Sequence, residues 1–442
     1  MDTYPSYKDS GVEWIGDIPS GWDLVKVKNL FTFSKGSGIS KKDIEKEGSS
    51  NCILYGELFT RFKNFNVIPD DFSKTNLKDK IVSNGNELLI PGSTTTTSVD
   101  LCNCKTLKHS GVQLGGDIII LKPRKSDIKN EFYSYYITTV TKPDFEMNGR
   151  GVTIHHIYPK QIREIYTPVP PLQEQQQISD YLDYKTSKID TLIEKNQQKI
   201  ELLKEQRISL INTTVTKGLN PNVEMKDSGV EWIGDIPSGW GVKPLKYVAE
   251  YNLSSLGNNT DPEYKLNYLE ISDVDSLGNI KKPTKYTFSK SPSRCRRIVQ
   301  KDDIIISTVR TYLKSIGFIK NEVKDLICST GFCVITPNKT IIIPSILFYM
   351  VRMESFISTV ISSSVGVSYP SINSDKLVGV KILIPPLQEQ QQIVDYLDLE
   401  TSKIDKLVNI ESKRINLLKE YRQSLISEVV TGKVDVRDEV LL

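Results

Sequence analysis

The strongest constraint on how this chain folds is a duplication kept letter for letter in some places and lost in others. KDSGVEWIGDIPSGW spans Lys8 to Trp22 and recurs at Lys226 to Trp240. PPLQEQQQI spans Pro170 to Ile178 and recurs at Pro385 to Ile393, and TSKID occupies both Thr186 to Asp190 and Thr401 to Asp405. Between these matched segments the two halves barely resemble each other. The frame encloses two inserts of nearly equal length, 147 residues from Asp23 to Val169 and 144 from Gly241 to Ile384. Duplicated domains ordinarily drift everywhere at once. A constant frame around divergent inserts implies that the frame performs one task twice while each insert performs a different one.

At 442 residues the chain can build two or three separate cores. Its 38% hydrophobic and 25% charged residues are those of an ordinary globular protein. The N-terminus, MDTYPSYKDS, has neither a basic nor an apolar leader region, so no signal peptide is read. The longest apolar stretch, Ile341 to Val351, is interrupted by Pro344 and is too short to span a bilayer. These features predict a cytoplasmic protein with no membrane partner. Cysteines at 52, 102, 104, 295, 328 and 333 are scattered and read as reduced. A net charge of +3 neither demands nor excludes a nucleic acid, because a basic face can hide in a balanced total.

Each half predicts a mixed α/β module followed by one long helix. Short β-rich runs at Glu87 to Ile90, Asp117 to Leu121, Asp303 to Thr308 and Leu326 to Thr336 are punctuated by turn residues, and shorter helices are predicted at Glu131 to Val140 and Pro344 to Val360. Beyond Pro170 and Pro171 no glycine or proline occurs until Gly218, which predicts a helix over Leu172 to Lys217, about 69 Å long. A second is predicted from Leu387 to about Thr431, stopping at Gly432. A heptad seam fits both. Thr186, Ile193, Ile200 and Arg207 alternate with Leu182, Ile189, Asn196, Leu203 and Leu210 in the first. Thr401, Val408, Ile415 and Arg422 alternate with Leu397, Ile404, Glu411, Leu418 and Leu425 in the second. A narrow apolar stripe on so long a helix needs a partner, and the other helix is the obvious one. Antiparallel pairing would bring the polar Asn196 and Glu411 into about the same layer; the alternative is that both face solvent at a splayed seam. Antiparallel helices with a module on each give a pseudo-two-fold, circular arrangement, in which Gly432 to Leu442 returns to the first frame copy and Met1 and Leu442 lie close together.

This layout resembles the specificity subunit of type I restriction-modification systems. The resemblance covers essentially the whole chain and rests on GxxWIGDIPxGW opening each half and P-P-L-x-E-Q (Pro170 to Gln175, Pro385 to Gln390) opening each helix. It implies a non-catalytic DNA-recognition subunit with residues 1–169 as the first target recognition domain, 170–217 as a spacer helix, 218–384 as linker and second recognition domain, and 385–442 as the second spacer helix with its tail. Each recognition domain would read one short half of an asymmetric, bipartite site in double-stranded DNA. The helices would dock two methyltransferase (modification) subunits, and restriction subunits with translocase and nuclease activity would join that core. S-adenosylmethionine, Mg and ATP are then expected on those partners, with no cofactor in this chain.

The residues themselves agree. A methyltransferase would need a Gly-rich loop and a D/N-P-P-Y/F tetrapeptide; Asp261-Pro262-Glu263-Tyr264 misses the second proline and reads as a turn. Pro69-Asp70-Asp71 and Pro143-Asp144-Phe145-Glu146 lack the E-x-K partner of a nuclease and read as polar loops. There is no G-x-x-x-x-G-K-[ST] run for ATP. Cys102, Cys104 and His109 fall short of a four-ligand zinc set. DNA contacts are therefore sought as donors on loops. In the first insert these are Lys35 and Ser37, then Ser93, Thr94 and Thr95 in a hydroxyl-rich loop read as flexible and free of carboxylates, then Arg150, Thr153 and His155. In the second they are Arg294, Arg296 and Arg297 as a basic cluster, Arg310, Tyr312 and Lys314 after a β run, and Ser368 and Tyr369 in the loop equivalent to Thr153. For any single one of these, solvated surface is the plainer explanation. Two other readings stand beside DNA recognition: an assembly scaffold whose inserts bind proteins, disfavoured by the basic loops, and a self-contained DNA-modifying enzyme, disfavoured by the missing motifs.

Overall fold

The computed structural model describes residues 2–62, 66–78 and 81–439. The chain divides into two units, Met1–Gln198 with Ser412–Leu442, and Lys199–Glu411. Each holds one frame copy, one insert, and part of both long helices, α1 (Leu172–Lys217) and α2 (Leu387–Val430).

The repeated frame forms the same small structure twice. Tyr7–Asp9 pairs with Asp17–Pro19 as a hairpin, and Met225–Asp227 pairs with Asp235–Pro237 in the same register. Each hairpin buries an isoleucine (Ile18, Ile236) and is followed by a buried tryptophan (Trp22, Trp240). The inserts begin where the frame ends. The first strand of each pairs antiparallel with its last, Asp23–Lys26 with Tyr166–Val169 and Gly241–Pro244 with Lys381–Ile384. Both ends of an insert are thus neighbours.

The divergent inserts share one topology. The first has an antiparallel sheet in the order Lys105–Leu107, Glu87–Pro91, Ile118–Pro123, Phe31–Lys35; the second orders Ile316–Phe318, Ile304–Ser307, Phe332–Pro337, Ala249–Tyr251 alike. Each adds a second sheet with a single parallel pair, Ser50–Ile53 beside Ser110–Leu114 and Lys265–Leu269 beside Leu326–Ser329. The central strands are buried on both faces and rich in β-branched and aliphatic residues, which suffices to specify them, so the core survives wide sequence divergence. Two predicted elements divide. Leu326 to Thr336 is two strands in different sheets, broken at Thr330 and Gly331. Pro344 to Val360 is two helices, Pro344–Val351 and Glu354–Ser362, bent by 60° where extended, buried Met353 intervenes. Among the described residues no single helix is long and apolar enough to cross a membrane.

The long helices match their predicted limits, apart from one residue at the end of α2. In each P-P-L-x-E-Q run the glutamine is buried and ties the insert to the helix start. Gln175 donates to Pro170 O (2.8 Å) and accepts from Lys129 N (2.9 Å); Gln390 donates to Pro385 O (2.8 Å) and accepts from Ile343 N (2.8 Å). At the other ends Gly218 and Gly432 adopt the left-handed conformation at φ +73° and +74°, facing Trp240 and Trp22 respectively.

The seam is as the heptads predict. Leu182, Ile189, Ile200, Leu203, Leu397, Ile404 and Ile415 are buried, while Ile193, Val408 and Leu418 are half-buried. The helices run antiparallel in both units. Asp190 receives the Arg422 guanidinium at 2.9 Å in one, and Asp405 receives that of Arg207 at 3.0 Å in the other. TSKID therefore contributes its aspartate to the opposite helix's seam arginine, twice. Glu411 is buried and paired with Lys199 at 2.6 Å. Glu411 therefore does not face solvent, and its carboxylate is held by Lys199, one helix turn after the half-buried Asn196. The C-terminal tail returns to the first frame copy, where Asp435 N donates to Asp2 O at 2.8 Å and the Arg437 guanidinium lies 4.8 Å from the Tyr4 ring. Met1 and Leu442, the termini expected to meet, lie outside the described residues.

Candidate nucleic-acid interface

In the first insert the fold brings two distant loops into one ladder. Ser93–Thr94 pairs antiparallel with His155–His156, and Arg150 exchanges both backbone hydrogen bonds with His156, at 2.9 and 2.7 Å. Lys35, the last residue of its strand, reaches over the Tyr158 ring at 5.5 Å. Lys35, Arg150, His155 and Tyr158 thereby belong to one assembly. Thr95, Arg150 and Thr153 are exposed and His155 is half-buried.

Three expectations need correction here. The loop from Ser93 to Thr97 carries no carboxylate of its own, but Asp117 and Asp100 from outside it engage its hydroxyls. Ser93 and Thr94 are buried, the Ser93 hydroxyl donates to Asp117 at 2.7 Å, and the Thr96 and Thr97 hydroxyls donate to Asp100. Ser93 and Thr94 act as scaffold; Thr95, Thr96 and Thr97 are exposed, the last two with their hydroxyls on Asp100. The Lys35 to Gly38 turn is likewise tight: Gly36 N and Ser37 N donate to Ile118 O and Leu114 O, and a Cβ on Gly36 would stand 2.1 Å from Gly115 O. Ser37, half-buried, lies in that clamp. Finally, Pro143 to Glu146 is no loop but part of the helix Lys142–Asn148. Burial pushes the Asp144 carboxyl up to about 6, opposed by a hydrogen bond from Trp14 Nε1 of the frame.

The second insert closes equivalent loops. Val365 exchanges backbone hydrogen bonds with Ser371 (2.8 and 2.9 Å), and Arg310 N donates to Pro370 O at 2.7 Å. These match Arg150 with His156, and Thr94 beside His155, position for position along the sheet. An open cleft of about 1000 Å³ lies here, lined by Arg294, Arg310, Tyr312 and Tyr369 together with Glu270 and Asp275. The Arg310 guanidinium stacks 4.5 Å from the Tyr369 ring centroid, and Arg310 itself sits at φ +51°, a strained backbone for an arginine. Ser368 is exposed beside it.

The basic cluster does not act as a set. A β-bulge falls between Cys295 and Arg297, and only Arg294 reaches the cleft. Arg296 packs its guanidinium on Phe288 at 4.7 Å, and Arg297 donates to Ser255 at 3.4 Å. Lys314 is held by both carboxylate oxygens of Glu354, at 3.0 and 2.9 Å, so a phosphate would have to compete for it. Glu270, Asp275 and Tyr158 were missed by sequence reasoning. No motif marks them; only the fold brings them to the donors.

The residues considered for other chemistry are used structurally. Asp71 is bonded to Arg61. Asp261 closes a turn on Glu263 and Tyr264. Cys102 donates its thiol to Thr138 O at 3.3 Å, and burial pushes that thiol up to about 12; Cys104 is raised by burial as well. His109 packs edge-on against Phe72.

Two unlike inserts of one topology, each presenting donor-bearing loops from a repeated frame, define a duplicated recognition module on paired helices. A family model described as "Type I restriction modification DNA specificity domain" matches twice, over residues 19–202 and 237–420, and the chain belongs to that family: it is a specificity subunit with two target recognition domains. Type I restriction enzyme specificity subunits are similar along their length. That of MjaVIII from Methanocaldococcus jannaschii is 25% identical over 95% of both chains, and that of EcoBI from Escherichia coli is 22% identical over 70% of this chain and 67% of its own. Such subunits are the non-catalytic components of their systems. Among solved structures, a chain from work on complex assembly and conformational transition of the type I R-M system shares the fold at a TM-score of 0.71, with 15% identity over 94% of this chain and 99% of its own. The HsdS subunit from Thermoanaerobacter tengcongensis does so at 0.52, over 94% and 98%.

Proposed function

We propose that the loops closed by Arg150–His156 and Val365–Ser371 carry each recognition domain onto one half of a bipartite, asymmetric site in double-stranded DNA. The helices dock two methyltransferase subunits, restriction subunits join that assembly in the cytoplasm, and S-adenosylmethionine, Mg and ATP are bound by those partners. The observation that carries this reading is that loops at matching positions on one shared topology bear different side chains. Thr94 and Arg150 stand where Arg310 and Val365 stand in the other insert. Equal scaffolds with unequal donors are what two different half-sites require. The Arg310–Tyr369 stack in a cleft wide enough for a base edge supports it, since a guanidinium fixed by an aromatic ring is pre-organised for bidentate recognition of guanine. The mixture of Arg294 with Glu270 in that cleft supports readout of base edges rather than of phosphate alone.

The test is reconstitution. The chain alone, given a labelled methyl donor and DNA, should transfer no methyl group; with its methyltransferase subunits it should methylate one bipartite motif with an unspecified spacer. Transfer by the isolated chain, or an assembly that modifies DNA without a two-part motif, would contradict the proposal.

A further inference from the structure

Gly151-Val152-Thr153-Ile154 and Gly366-Val367-Ser368-Tyr369 are the tips of the two equivalent loops, in inserts that otherwise barely resemble each other. Both tips turn on a glycine at nearly the same angle: Gly151 has φ +119° and Gly366 +118°. A Cβ at these positions would stand 1.9 Å from Ile154 O and 3.1 Å from Tyr369 O. Each tip is closed by a two-way backbone pair, so it is a rigid hairpin and not a loose strand of chain. On top of it the valine is 95% exposed in one insert and 102% in the other, next to a half-exposed Ile154 or Tyr369.

A single exposed apolar side chain on a protein surface asks for no explanation. Here the same residue is held at the same point of two scaffolds whose surfaces differ nearly everywhere else. Neither valine contributes to a core, so packing within the chain accounts for neither. Neither hairpin carries an aspartate or glutamate between residues 150 and 156 or between 365 and 371. The flanking groups are Arg150 and His155 in one and, in the other, the Arg310–Tyr369 stack with Arg294, beside which Glu270 and Asp275 also line the cleft.

We propose that Val152 and Val367 are apolar wedges that press into the DNA at each half-site without reading its sequence. The inference rests on the DNA-recognition reading above. If the half-sites differ, a side chain common to both domains does not distinguish them, and the wedge is a contact that both half-sites accept. An aliphatic tip on a rigid hairpin, pushed against a base step, partly unstacks it and bends the duplex. The neighbouring donors then read base edges that the bend exposes.

The experiment uses the full chain assembled with its methyltransferase subunits and a duplex of its own recognition sequence, labelled at both ends for energy transfer. Val152→Ser and Val367→Ser should each weaken binding on the order of tenfold and reduce the measured bend. The salt dependence of binding and the half-site sequences chosen from a random pool should stay unchanged, because no phosphate or base-edge donor is lost. Val152→Ile should bind and bend as the unaltered protein does. Serine variants with full affinity and full bend overturn the proposal. So does a changed base preference, which would make the valines base readers, and so does loss of methyltransferase binding in the absence of DNA, which would make the tips protein contacts. If the unaltered assembly selects no bipartite DNA, the recognition reading itself fails, and the wedge with it.

Discussion

Arg150 and Arg310, the arginines proposed as DNA donors in the two inserts, stand in different surroundings. Arg310 is stacked on Tyr369 and lines a cleft, whereas Arg150 stands exposed at the foot of its hairpin with only its backbone engaged. If Arg150 reads a base edge, Arg150→Ala should cost about 1–3 kcal/mol on the preferred sequence and relax selection at one position. If it touches only phosphate, binding should weaken on all sequences alike and the salt slope fall by about one unit. Binding to specific and random duplexes at several salt concentrations distinguishes these, and no change in either returns Arg150 to ordinary surface. Arg294, Arg310 and Tyr369, singled out in the sequence, come together at one cleft because their segments meet on the fold. The burial of Ser93 was not legible because its partner is not local: Asp117 reaches it only once the sheet has formed. Lys314 and Arg296 were misread for the same reason, their free charge being engaged by Glu354 and Phe288 from elsewhere in the chain.

At the scale of elements the long helices were the most legible feature, since a seam of period 3.5 between a proline and a glycine leaves little freedom. What the sequence did not disclose is how the repeated motifs serve the helices. The seam ion pairs Asp190–Arg422 and Asp405–Arg207 remain partly exposed, so each is worth only about 0–1 kcal/mol. Their effect is on register: an antiparallel pair of apolar stripes slides easily, and two reciprocal pairs fix where it stops. The frame's contribution is at the helix ends. A Cβ on Gly432 would meet Pro19 at 2.4 Å and Trp22 at 3.1 Å, in a left-handed conformation that favours glycine. Gly432→Ala should therefore destabilise the protein by about 1–3 kcal/mol. Gly21→Ala, in the same frame but with open space around it, should shift stability by no more than about 0.5 kcal/mol. Urea midpoints of the two variants check this, and equal midpoints would show that the helix end does not lean on the frame.

For the molecule as a whole, the duplication announced its plan, but not the shared topology of inserts that look unrelated. Sheets tolerate nearly any β-branched or aliphatic residue on a buried face, so strand order persists after sequence likeness has gone. The break within Leu326 to Thr336 was illegible for a related reason: both strands are apolar, and nothing in their composition says that they join different sheets. Under the proposed function each insert reads one half-site. The physical basis is that Asp23–Lys26 pairs with Tyr166–Val169, so an insert leaves the frame where it began; an exchanged insert must still supply the contacts that Phe132 and Tyr135 make with Trp22 of the frame and Asp183 of the helix. The direct test is to replace residues 23–169 with the insert of another family member and map the methylated motif on genomic DNA. The account predicts that one half of the motif changes to the donor's while the other half is retained. A swap that folds and assembles yet alters both halves would contradict it.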